Sequence, residues 1–151
     1  MTHIRLITHI AAPVEQVFNL SRDVSIHLES TSQTNEKVIA GRLSGLIGLG
    51  ETVTWQGRHF GVLLSHKSRI TALVAPHYFV DEMEKGMFRS FRHEHSFEAA
   101  GESAIMEDKL YYETPFGFIG KLFDKFFLEN YMEKFLFRRN AVIKKVAEGN
   151  L

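Results

Sequence analysis

The residues best suited to chemistry fall in one short run, Phe91-Arg92-His93-Glu94-His95-Ser96-Phe97. Read as a strand, it puts Phe91, His93, His95 and Phe97 on one face and Arg92, Glu94 and Ser96 on the other. The charged face belongs to solvent, so both imidazoles point inward between two phenylalanines. An imidazole titrates near neutrality, and a carboxylate bonded to one of its nitrogens fixes the tautomer and raises the basicity of the other, as a general acid or base requires.

The next strand offers that carboxylate. Ala104, Met106, Asp108, Leu110 and Tyr112 share a face opposite Ile105, Glu107, Lys109, Tyr111 and Glu113. If Ala99 to Glu102 form the connection, position 98 pairs with 103, which sets His93 across from Asp108 and His95 across from Met106. Cross-strand neighbours lie ~5 Å apart, so a His93–Asp108 hydrogen bond is expected. Upstream, Phe79, Asp81 and Met83 turn inward if the connection around Lys85, Gly86 and Met87 keeps the register. In the hairpin near Gly61, Val53, Trp55 and His59 face in with Leu64, His66, Ser68 and Ile70.

These faces define a candidate site. Its catalytic pair is His93 with Asp108. Its binding wall comprises Trp55, His66, Phe79, Asp81, Phe91 and His95, continued by Phe97, Met106, Leu110 and Tyr112, with Phe123 and Phe126 contributed by the last helix. Apolar walls with a few convergent polar groups are the usual make-up of a small-molecule site. Two blander roles stand beside these: the aromatics fill a core, and the His93–Asp108 pair is a satisfied buried contact that pins strand register. Two inward histidines with Asp81 or Asp108 also form a two-histidine, one-carboxylate set, but such histidines more often hydrogen-bond than ligate, and neither a metal nor a cofactor is expected. No GxSxG is present, which argues against acyl-enzyme chemistry, and the glycines of GRLSGLIGLGE lack the order and the lysine of a phosphate loop.

The elements that must carry these residues follow from the rest of the chain. His3 to Ile10 alternates as a strand, with Ile7 the exception. Pro13 opens a short helix with the apolar stripe Val14, Val17, Phe18, and a second helical turn spans Val24 to Ser30. From Glu51 to Thr114 consecutive strands with short connections read as an antiparallel meander. A helix of about thirty residues, Phe116 to Ala147, closes the chain. Its apolar residues fall on two nearly opposite faces, Ile119, Leu122, Phe123, Phe126 and Phe127 on one and Leu128, Tyr131, Met132, Phe135, Val142 and Ile143 on the other. It either bends near Phe127 to Glu129 or is apolar almost all round. The basic residues of Phe137-Arg138-Arg139 and Lys144-Lys145 read as a solvated end favoured by the helix dipole. This order is α+β, a curved antiparallel sheet holding a long C-terminal helix.

The stretches FVDEMEKGMFRSFRHEHSFE, GRLSGLIGLGETVTWQGRHFG and YYETPFGFIGKLFDKFFLENYM resemble the SRPBCC ligand-binding group of the START-like, helix-grip superfamily, along nearly the whole chain. The resemblance implies a single domain over residues 1–151 with a cavity between sheet and helix. It implies binding of a small hydrophobic molecule such as a lipid, quinone or polyketide-like compound, with cyclase, dehydratase or hydrolytic chemistry through His93 and Asp108 as the alternative.

Composition narrows the partners. Eighteen basic and 18 acidic side chains cancel, which removes the footprint of a protein that lives on nucleic acid or an anionic membrane. The absence of cysteine excludes disulfides, thiol nucleophiles and cysteine-held metals. No apolar run of membrane-spanning length or secretory signal is visible, so membrane insertion is not expected and a cytoplasmic location is the default. A homodimer through the outer sheet face, with Ile105 and Tyr111, is compatible with the pattern. The surplus is phenylalanine, 13 against one tryptophan and four tyrosines, more aromatic surface than closing a core requires.

Overall fold

The computed structural model describes residues 1–149. Strand β1 (Thr2–Ile10) leads into helices α1 (Val14–Ser21) and α2 (Val24–Ser30). Strands β2 (Lys37–Gly41), β3 (Thr52–His59), β4 (Val62–Val74), β5 (Tyr78–Lys85), β6 (Ser90–Ala100) and β7 (Ser103–Glu113) follow. The chain closes with α3 (Gly117–Phe123), a π turn (Asp124–Leu128) and α4 (Glu129–Ala147). All seven strands join one antiparallel sheet in the order β1-β7-β6-β5-β4-β3-β2, so the first strand pairs with the last. This is the helix-grip fold expected from the sequence.

Local chemistry explains the elements. In α1, Val14, Val17, Phe18 and Ser21 are buried at i, i+3, i+4 and i+7, one stripe of a helix. The Asp23 side chain accepts the Ser25 and Ile26 N–H groups at 2.8 and 3.3 Å and so caps α2. In β7, Ala104, Met106, Asp108, Leu110 and Tyr112 are all buried, one residue in two. Strand β2 shows no such alternation: only Val38 is partly covered, as suits a short edge strand.

The core has two parts. Phe18 packs edge-on to Phe79 and Phe97 at 5.7 and 5.3 Å, amid Ile10, Val17, Met106 and Ile143. Ile4, Leu110, Tyr112 and Leu136 form the second part. No helix among the described residues is long and apolar enough to cross a membrane.

Three expectations need correction. The β6–β7 connection is the two-residue turn Gly101-Glu102, with Gly101 at φ +64°, and not a four-residue loop. His95 therefore pairs with Asp108, His93 with Leu110 and Phe97 with Met106. A slip of two residues keeps every side chain on its face, so the inward set is unchanged.

The last helix is interrupted by the π turn, and much of its first apolar face is turned outward: Ile119, Phe126 and Phe127 are each more than half exposed. Phe126 therefore does not reach the cavity. Arg139, expected in solvent, is buried beside Asn140 on the face that grips the sheet, because both bond to Asp108.

Candidate functional site

Between the sheet's concave face and the helices lies a cavity of about 350 Å3. Its walls take Val53 and Trp55 from β3, His66 and Ile70 from β4, Phe79 and Asp81 from β5, and Phe91, His93 and His95 from β6. Leu110 comes from β7, Phe123 from α3, and Tyr131, Phe135 and Arg139 from α4. Nine of the expected wall and pair residues thus meet in one space: Trp55, His66, Phe79, Asp81, Phe91, His93, His95, Leu110 and Phe123.

The others stand elsewhere. Phe97 and Met106 fill the core around Phe18. Tyr112 is fully buried and donates its hydroxyl to Asp124 Oδ1 at 2.5 Å. Asp108 is fully buried behind the two histidines and does not line the cavity.

At the deep end sits a connected polar cluster. His93 Nε2 donates to Asp108 Oδ1 at 2.7 Å, and His95 Nε2 donates to Asp81 Oδ2 at 2.7 Å. The expected His93–Asp108 contact forms, on the diagonal of the ladder. The two imidazoles stack with centroids 3.7 Å apart, and Phe79 lies flat on His95 at 4.1 Å. His95 Nδ1 is 3.3 Å from Asp108 Oδ1, without the alignment of a hydrogen bond.

Asp108 is the hub. Asn140 Nδ2 donates to its Oδ2 at 2.6 Å and Arg139 Nη1 approaches its Oδ1 at 3.4 Å, while Arg139 Nη2 donates to the Ser21 hydroxyl and carbonyl at 2.8 and 3.1 Å. A buried carboxylate is tolerable only when so partnered.

The electrostatics follow. Burial by itself raises the Asp81 pKa, but the bond from His95 and the charges of the surrounding histidines bring it down to about 2. Burial likewise opposes ionisation of Asp108, yet the bond from His93, the close approach of His95 and the charge of Arg139 hold it well below the ordinary carboxylate range. His93 moves the other way from expectation: burial, then the neighbouring His95, lower its pKa by more than Asp108 raises it. His93 is therefore a neutral imidazole at pH 7, with its tautomer fixed by Asp108.

Toward the opening lies a second polar group that sequence patterning missed in part. The His27 ring lies 4.0 Å from that of Trp55, and its Nε2 is 3.4 Å from Glu36. His59 Nδ1 meets the Tyr131 hydroxyl at 2.6 Å. Burial would raise the pKa of Glu36, but its bond to His27 and the nearby His27 and His59 lower it. His27 and Glu36 lie outside the meander's strands, where no face alternation marks them as inward. Arg139 shares a helical face with Met132, Phe135 and Ile143, and only its charge near the helix C-terminus suggested solvent.

Asp81, His93 and His95 are also the residues able to offer a metal ion one atom each, with those atoms within 4.8 Å of one another.

No family model matches the chain, and no curated protein matches it. Solved structures do. A START superfamily protein from Mycobacterium smegmatis superposes with a TM-score of 0.73 at 12% identity, over 99% of each chain. The protein TTHA0849 from Thermus thermophilus gives 0.72 at 18% identity, covering 97% of this chain and 99% of that one. A major latex-like protein from Panax ginseng gives 0.66 at 15% identity over 97% of each chain. At such identities the likeness is one of fold, and what the cavity does must be argued from its own residues.

Proposed function

We propose that this chain, which has the helix-grip fold of START-like proteins, binds a small hydrophobic molecule carrying one polar end. The observation that supports it most directly is the pairing of aromatic walls with a buried histidine–carboxylate cluster several residues down the strands from the opening. Trp55, Phe79, Phe91 and Leu110 offer an apolar ligand a dry surface, worth about 25 cal/mol per Å2 buried. His93, His95 and Asp81 offer its polar end a fixed set of donors and acceptors, which orients the molecule. The coarse ligand class is that of lipids, quinones and polyketide-like compounds.

Trp55 is the sole tryptophan and faces the cavity, so its fluorescence reports occupancy without a label. Titration with fatty acids, quinones and flat aromatic compounds should quench or shift it saturably with at least one class. A flat response across the panel, together with native mass spectrometry showing only the bare chain, would sink the proposal.

One observation favours a second role. A neutral imidazole whose Nε2 is tied to a buried carboxylate can take a proton at its other nitrogen, as a cyclase, dehydratase or hydrolase step requires. If His93 acts so, His93→Gln abolishes turnover of a carbonyl-containing ligand while the Trp55 titration still saturates. Retained turnover in that variant would assign the cluster to orientation alone.

A further inference from the structure

Seven of the molecule's phenylalanines, residues 60, 116, 118, 123, 126, 127 and 137, keep a large part of their surface in water. Six of them, all but Phe137, gather at one end of the fold. That end is built from the β3–β4 turn, the β5–β6 connection and the segment from Phe116 to Leu128. The antiparallel order of β3 to β7 brings these three pieces to the same side. The Phe60 ring packs on Phe123 at 5.3 Å, and Phe123 on Phe127 at 5.8 Å. Phe60, Met87, Phe116 and Phe123 also line the cavity, so the apolar surface forms its rim.

The charges on this rim are predominantly positive. Arg58, Lys85, Arg89, Lys121 and Lys125 are its exposed cations, against the exposed Glu129 and the half-buried Glu113 at its border. Asp124, within the same segment, is turned inward to bond Thr2 and Tyr112. Glu84, beside Lys85, is paired with Arg69 and Lys67. Neutrality of the whole chain thus conceals a cationic, aromatic end. Isolated apolar side chains on a surface need no explanation, but a contiguous aromatic patch does.

We propose that this end docks on the surface of an anionic phospholipid bilayer, and that the cavity loads or releases its ligand there. The docking rests on the rim alone, and the loading rests on the binding role proposed above. Exposed phenylalanines enter the headgroup–acyl boundary, while lysines and arginines beside them meet anionic headgroups and keep their stems along the apolar layer. The docking needs no segment that spans the bilayer. A second copy of the chain fits less well, because two such faces brought together oppose like charges.

Co-sedimentation with vesicles of phosphatidylcholine alone, and of phosphatidylcholine with phosphatidylglycerol, tests the docking. The intact chain is expected to bind the anionic vesicles at least tenfold more tightly than the neutral ones and to release from them in high salt. Phe118→Asp combined with Phe126→Asp alters only exposed, non-lining positions and is expected to lose vesicle binding while the Trp55 titration in vesicle-free buffer is unchanged. Lys121→Glu with Lys125→Glu should weaken the anionic preference by roughly tenfold or more.

No binding to either vesicle overturns the proposal, as does a concentration-dependent dimer in sedimentation velocity that the double aspartate variant abolishes. Vesicle binding beside a silent Trp55 titration would instead uphold the docking face and remove the ligand-binding role.

Discussion

At the scale of single residues, the site is a balance between burial and partnership. Asp81, at about 2, and Asp108 stay ionised far below the usual carboxylate range, while burial holds His59, His66 and His93 below the ordinary histidine value of 6.5. All these folded-state values lie below the unfolded ones, so the unfolded chain takes up protons first as pH falls. The stability they contribute is therefore complete above pH 6.5 and is lost in two stages, first as the histidines titrate below 6.5, then below about 3.8 as Asp81 and Asp108 do. Urea denaturation from pH 8 to 3 should show midpoints falling in that sequence. Asp81→Asn should remove about 1 kcal/mol of the second loss by pH 3, roughly half of the full equivalent of its shift from 3.8 to about 2. Stability that rose between pH 7 and 5 would contradict the assignment. The histidine faces were legible from alternation, because period two admits no ambiguity about side. The direction of the His93 shift was not, because it depends on how much water the fold removes.

At the scale of elements, the last helix shows where patterning stops. Asp124 and Leu136 both face the protein, yet twelve residues of uninterrupted α-helix would set them about 120° apart. The π turn at Asp124–Leu128 takes up one extra residue and brings them within about 20° of each other. A uniform helical wheel therefore divides the apolar residues into two opposed faces, the second of which also contains Arg139. The start of this helix depends on a close approach: a Cβ at Gly120 would collide with the Pro115 carbonyl oxygen. Helix propensity alone would make Gly120→Ala stabilising by about 1 kcal/mol. The collision reverses that sign, and the variant should lose roughly 1–3 kcal/mol in equilibrium unfolding. A more stable variant would show that α3 is not seated on Pro115. The β6–β7 register was open for a related reason: alternation tests only odd against even, and a slip of two residues passes it.

At the scale of the whole molecule, a sheet of seven strands bent around a helix encloses a space that its own side chains do not fill. A ligand that binds only the folded state adds stability by mass action, about 2.7 kcal/mol at a hundred times its dissociation constant. For a chain of 151 residues this raises the melting temperature by roughly 5–10 °C, so a thermal-shift screen of apolar compounds should find the class that quenches Trp55. A ligand that quenches Trp55 without raising the melting temperature would be acting outside the cavity. The sequence by itself determined the order of the elements apart from β2, the inward faces of the meander and the His93–Asp108 contact, because alternation is a local property of a chain. Only the tertiary structure decided which phenylalanines pack and which meet water, where Arg139 goes, and that one end of a neutral molecule gathers cations. These depend on what lies opposite each side chain in space.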